Sequence, residues 1–74
     1  MREWMEQARK KRGLTMKKAG AELGISESYY SMIERGERQQ NLDIALAAKM
    51  SGVFGVSLEY IVEQEQTHTR VSAV

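Results

Sequence analysis

Apolar residues recur along this chain three or four positions apart, the spacing of amphipathic helices rather than the alternation of strands. Glycines at 13, 24, 36, 52 and 55 cut the pattern into five short helices. The first is predicted from about Arg2 to Arg12, with Met1, Met5 and Ala8 along one stripe and Trp4 beside it. Thr15 reads as the N-cap of the second, its hydroxyl accepting from the free N–H groups of residues 17 and 18, and Gly24 as its left-handed C-cap. Ser26 caps a third helix that reaches about Arg35 and closes at Gly36. Only Gly24, Ile25 and Ser26 separate the second and third helices, too few residues for antiparallel packing and the length of a helix-turn-helix connection.

The polar segment from Glu37 to Asn41 reads as a loop. Leu42, Leu46, Met50 and Val53 then mark a fourth helix, and Ser57 caps a fifth from Leu58 to about Glu63 with Leu58, Ile61 and Val62 facing inward. Residues 65–74 lack periodicity and are expected to form a frayed tail, so the folded domain is read as residues 1–64.

The third helix has two faces. At about 100° per residue, Tyr30 and Ile33 share one side, while Glu27, Ser28, Ser31 and Met32 share the other. This second face is small or flexible and lacks the Lys/Glu ladder of a solvated helix, so it suits close approach to another surface; a plainly exposed face is the alternative. Glu34 falls beside the core side, where a carboxylate requires a fixed cation. Arg9, one turn from the end of the first helix, can supply it; an unrelated surface pair would be worth at most about 1 kcal/mol.

Composition removes several classes of function. There is no cysteine, and the single histidine, His68, stands in the polar tail, so no disulfide framework, zinc site or other cofactor is expected. Neither a constellation of catalytic side chains nor a glycine-rich phosphate loop is present, and the nearest carboxylate spacing, Glu59, Glu63 and Glu65, is an ordinary solvated face; an enzyme is not expected. No apolar run approaches membrane-spanning length, which makes the cytoplasm the default compartment. Net charge is only +1, but its distribution is uneven: Arg9, Lys10, Lys11, Arg12, Lys17 and Lys18 fall in residues 9–18 with no acid among them. Such a run marks either a phosphate-facing surface or a solvated helix face.

The segment Thr15-Met-Lys-Lys-Ala-Gly-Ala-Glu-Leu-Gly24-Ile-Ser-Glu-Ser-Tyr-Tyr-Ser-Met-Ile-Glu34-Arg-Gly36 resembles the lambda-repressor-like helix-turn-helix family, which includes the XRE regulators and the phage Cro and repressor proteins. The similarity extends upstream through Arg9 and Gly13-Leu14 and downstream through Phe54-Gly-Val-Ser-Leu58. It implies an all-α, compact five-helix domain that binds double-stranded DNA. Ser26, Glu27, Ser28 and Met32 stand where this family contacts base edges, and Lys17, Tyr29, Ser31, Arg35, Arg38, Gln39 and Gln40 where it meets the groove edge or phosphate. Arg9 and Glu34 occupy the positions of its partly buried ion pair.

Three departures bear on the transfer. Met16 replaces a glutamine that anchors the second helix to phosphate. Ala19-Gly20 replaces the commoner Leu-Ala, placing a glycine inside a helix at a cost of roughly 0.5–1 kcal/mol, which Gly20→Ala would recover if there is room for a methyl. Glu27 brings an acid towards phosphates, a charge that favours a cytosine amino group as its partner.

The resulting expectation is a sequence-specific transcriptional regulator, repressor or activator, that reads the major groove with the third helix. It is expected to act as a homodimer on an inverted repeat, because two half-sites about 34 Å apart multiply the discrimination of one small domain. Val53, Phe54, Val56 and Tyr60 are the apolar residues assigned to the dimer surface. The competing expectation, favoured by Glu27 and Met16, is an antitoxin or protein-interaction module on the same fold.

Overall fold

A computed structural model describes the backbone over residues 1–73 and side chains over residues 1–67. Five helices follow one another: α1 (Glu3–Lys11), α2 (Met16–Leu23), α3 (Glu27–Glu34), α4 (Ile44–Phe54) and α5 (Leu58–Ala73). No strand occurs among the described residues. The boundaries have local causes. Thr15 Oγ1 accepts from the N–H of Lys18 and Ser26 Oγ from that of Tyr29, so two first turns are closed by their own hydroxyl caps. The start of α4 lies two residues later than the apolar pattern implies, because Asp43 Oδ1 takes the N–H groups of Ala45 and Leu46 and leaves Leu42 in the loop. Acids in the first turn of α1 and bases in its last complement the helix dipole.

All five helices bury a face in one core. Trp4, Met5 and Ala8 come from α1, Ala19 and Leu23 from α2, Tyr30 and Ile33 from α3, Ala47, Met50 and Phe54 from α4, and Ile61 from α5. Trp4 meets Phe54 and Tyr60 edge-on, each at 6.4 Å between ring centroids, which puts one indole at the junction of three helices. The chain turns by 118° between α4 and α5 across Gly55, whose φ of 67° is left-handed.

Helix α5 does not end near Glu63. Its described side chains continue to Thr67, and Glu65 is bound from the other end of the chain: Arg2 Nε and Nη2 donate to its carboxylate at 2.9 and 3.0 Å, and Trp4 Nε1 donates at 2.8 Å. The backbone is helical over residues 65–73, where a frayed tail is expected, and the side chain of His68 falls outside the described side chains. On the same helix Ile61 is buried as expected, whereas Leu58 and Val62 are 40% and 48% exposed.

Arg2 itself is 1% exposed. Besides Glu65 it donates from Nη1 to the carbonyls of Ile33 and Arg38 and from Nη2 to that of Gln39, while its backbone N–H donates to the Glu34 carbonyl at 2.8 Å. At the other end of α1, Arg9 Nε and Nη2 donate to Glu34 at 3.0 and 3.3 Å, and Nη1 to the Leu14 carbonyl at 2.9 Å. The bond to Glu34 raises the Arg9 pKa above its ordinary value despite the opposing effect of burial. Helix α1 is thus a bar with an arginine at each end, and both arginines hold the C-terminal end of α3.

Between them lies Tyr30, whose buried hydroxyl lies close to Glu34 and Arg9 but makes no hydrogen bond of good geometry among the described residues. Burial above all, and then the closeness of the Glu34 carboxylate, pushes its ionisation far above the ordinary phenol range. An unfolded tyrosine loses its proton near pH 10 and this folded one keeps it, so the unfolded state binds fewer protons above that pH and stability falls as pH rises. Tyr30→Phe removes both that slope and a buried hydroxyl without a hydrogen bond of good geometry. The variant is expected to melt at or above wild type at neutral pH and to lose less Tm between about pH 9 and pH 11. Parallel melting curves check this, and an unchanged alkaline slope would contradict it.

Candidate nucleic-acid interface

Helices α2 and α3 meet across a turn of three residues. Gly24 adopts φ 76°, its N–H donates to the Ala21 carbonyl at 3.1 Å, and the N–H of Ile25 donates to the Gly20 carbonyl at 2.9 Å, so α2 ends in a left-handed cap that throws α3 across it. Gly20 is where the two elements come closest. A Cβ placed there would stand 3.1 Å from the Ile25 carbonyl oxygen and 3.2 Å from that of Ser26, so a methyl fits only if the turn backbone yields by a few tenths of an ångström.

This arrangement leaves one face of α3 outward. Glu27 and Ser28 are exposed, and Ser31 and Met32 are half-buried, opposite the buried Tyr30, Ile33 and Glu34. Ser26 is exposed at the helix start, its hydroxyl oxygen engaged as the cap. None of the side chains of Glu27, Ser28, Ser31 and Met32 makes a hydrogen bond or ion pair within the described chain. Lys17 and Lys18 are exposed on the first turn of α2, and Met16 is half-buried against the core, an apolar use for the position where the resemblance has a glutamine.

Beyond α3 the loop folds back on its own helix, with the N–H groups of Glu37 and Arg38 both donating to the Met32 carbonyl. Arg35 pairs with Glu37 at 3.1 Å on the surface, and Arg38 and Gln40 are exposed. Gln39 differs from both. It is half-buried at φ 56°, its Nε2 donates to Tyr29 Oη at 2.8 Å, and its Oε1 accepts from the Asp43 N–H at 2.9 Å. Both polar ends of its amide are therefore engaged inside the protein. Tyr29, half-buried, accepts from Gln39 and keeps its own hydroxyl hydrogen to donate.

The basic run of residues 9–18 is divided by the fold. Arg9 is consumed by Glu34 and Lys10 meets Glu6 at 3.3 Å within α1, whereas Lys11, Arg12, Lys17 and Lys18 are exposed. The residues assigned to a dimer surface are also divided. Phe54 is 3% exposed and packs against Trp4, so it belongs to the core; Val53 and Val56 are half-buried against that core, and Tyr60 is 37% exposed. Apolar surface lies instead at Ile44, 78% exposed, with Leu58 and Val62, around an open groove of about 610 Å³ between the start of α4 and α5. Sequence reasoning missed Arg2 and Glu65. The available signals were spacing: Arg2, Met5 and Arg9 share one stripe of α1, and Glu65 follows the buried Ile61 by four residues.

A capped helix laid across its predecessor at a three-residue glycine turn, with an outward face free of internal partners, defines a helix-turn-helix protein. Residues 5–61 match the helix-turn-helix family model, and the chain belongs to that family, of XRE and lambda-repressor type. It is a family of DNA-binding transcription regulators that act on double-stranded DNA and are typically not enzymes. No curated protein and no solved structure matches the chain. Among the described residues no single helix is long and apolar enough to cross a membrane.

The close approach at Gly20 separates it from the chain's other mid-helix glycine. Gly52 lies in α4 with nothing within 4 Å of a Cβ, so Gly52→Ala should gain roughly 0.5–1 kcal/mol from helix propensity alone. Gly20→Ala is expected to gain less than Gly52→Ala, and Gly20→Leu to melt well below wild type. Chemical denaturation of the three variants tests the order, and a Gly20→Leu protein as stable as wild type would show that α2 and the turn are not in close contact.

Proposed function

We propose that this protein is a sequence-specific transcriptional regulator, repressor or activator, acting in the cytoplasm, that lays α3 in the major groove and binds an inverted repeat as a homodimer. The observation that carries the reading is the face of α3: Glu27 and Ser28 exposed, Ser31 and Met32 at its margin, none with an internal partner, on a helix fixed from behind by Arg9 and Glu34. Ser26, at the helix start, joins Glu27, Ser28 and Met32 as the base-reading set. Lys17, Tyr29, Ser31, Arg35, Arg38 and Gln40 are placed at the groove edge and phosphates, with Gln39 holding Tyr29 rather than touching DNA. Tyr60 remains in the proposed dimer contact, and Ile44, Leu58 and Val62 replace Phe54 in it, since burying them on a second copy removes the largest exposed apolar side chains of α4 and α5 from water.

Glu27 decides the sharpest consequence. An ionised glutamate offers only acceptors, and in the major groove the cytosine N4 amino group satisfies one without the neighbouring acceptor that adenine presents. Selection from random oligonucleotides with the wild-type protein is expected to enrich an inverted repeat carrying a cytosine in each half-site at the pair that Glu27 faces. Glu27→Gln is expected to shift that preference toward adenine, by about 1–3 kcal/mol of discrimination. Identical base preferences would remove Glu27 from the reading set. No enriched sequence at all would favour the protein-interaction module, the second reading that the exposed groove beside Ile44 supports.

A further inference from the structure

We propose that Gln39 is a positioning residue for the DNA face, and that through it helix α5 sets the pose of Tyr29; the proposal rests on α3 being the helix that approaches DNA. A backbone φ of 56° is uncommon outside glycine, and such a conformation persists where its surroundings over-determine it. Gln39 is fixed from three directions: its carbonyl accepts from Arg2 Nη2, its Nε2 donates to Tyr29 Oη at 2.8 Å, and its Oε1 accepts from the Asp43 N–H at 2.9 Å. Arg2 is held in turn by the Glu65 carboxylate, at 2.9 Å from Nε and 3.0 Å from Nη2.

The result is a relay from α5 to the first turn of α3 that passes through the covalent frame of Gln39: Glu65 to Arg2, Arg2 to the Gln39 backbone carbonyl, and the Gln39 side-chain amide to the Tyr29 hydroxyl. Its first links carry charge on a donor fully removed from water, where such bonds are strong and polarise their neighbours. If Glu65 lets go, Arg2 loses its orientation, the loop carbonyls lose their donor, and the left-handed backbone at Gln39 has less to hold it. The amide then no longer pins the Tyr29 hydroxyl, which is left free to turn away from a phosphate at the groove edge. Gln39 therefore acts through Tyr29, without touching DNA itself.

A double-mutant cycle on the full chain tests this, with Glu65→Gln, Tyr29→Phe and their combination measured by fluorescence anisotropy on the selected oligonucleotide. Each single variant is expected to lose about three- to tenfold in affinity, the worth of one net hydrogen bond, and the double variant to bind no worse than Tyr29→Phe alone. Losses that multiply in the double variant would overturn the coupling. Without DNA, the Gln39 side-chain amide protons in the NMR spectrum are expected to shift and exchange faster in Glu65→Gln, and an unmoved Gln39 amide would equally overturn it. Should wild type bind no oligonucleotide while that amide responds, the coupling stands and the DNA-binding reading falls. Should Glu65→Gln fail to fold, Gln39→Gly keeps the backbone conformation and deletes the amide. It is expected to reproduce the affinity loss with a Tm near that of wild type, and wild-type affinity in this variant would overturn the proposal.

Discussion

A charge withdrawn from water must be matched on every side, and this small protein withdraws two arginines. Arg2 and Arg9 stand at opposite ends of α1, and their partners converge on one place, the C-terminal end of α3: the Glu34 carboxylate for Arg9, and the Ile33 carbonyl for Arg2, whose backbone N–H takes the Glu34 carbonyl. The remaining donors of Arg2 reach the loop after α3 and the Glu65 carboxylate on α5. Satisfying these two cations fixes the relative placement of α1, α3, the following loop and α5 together. Apolar packing alone would not select one rotation of α3 so sharply, because hydrophobic contact is non-directional.

The directionality matters because α3 has eight residues, too short to be a stable helix by itself. Its pose is imposed: Ser26 caps its start, the Gly24 turn and the close approach at Gly20 set its angle to α2, and the paired charges lock its far end. What remains outward is a face whose side chains make no competing bonds among the described residues. A reading helix that must present Glu27 and Ser28 to base edges with ångström accuracy gains from such pre-organisation, since less ordering is left to occur on binding.

How much of this was visible in the residues depended on whether the signal was local. Thr15, Ser26 and Gly24 act on the two or three residues beside them, so the caps and the turn between α2 and α3 were legible. The Arg9–Glu34 pair followed from the helical wheel, which needs only helix geometry. Arg2 and Glu65 were not legible in that way: they are 63 residues apart, and each read alone is an ordinary polar residue at the margin of its helix. The same blindness ended α5 early, because a glutamate after the last apolar residue looks like solvated surface until its partner is known. Phe54, Leu58 and Val62 were misassigned between core and surface for a related reason, since the 118° turn after Phe54 decides which side of α5 faces inward and nothing in the local sequence encodes that angle.

The buried cation at Arg2 seats the loop and the end of α3, and Arg2→Met removes it. Methionine keeps much of the apolar bulk but removes both arginine donors from the Glu65 carboxylate, which keeps Trp4 Nε1, and one donor from each of three backbone carbonyls; breaking a buried pair from one side costs about 3–5 kcal/mol. Denaturation combined with native-state amide hydrogen exchange on this variant is predicted to show a loss of that size, with faster exchange concentrated in residues 34–43 and in α3. A stability within about 1 kcal/mol of wild type, with unchanged exchange over those residues, would mean that Arg2 seats neither, since surface charges are worth no more than that.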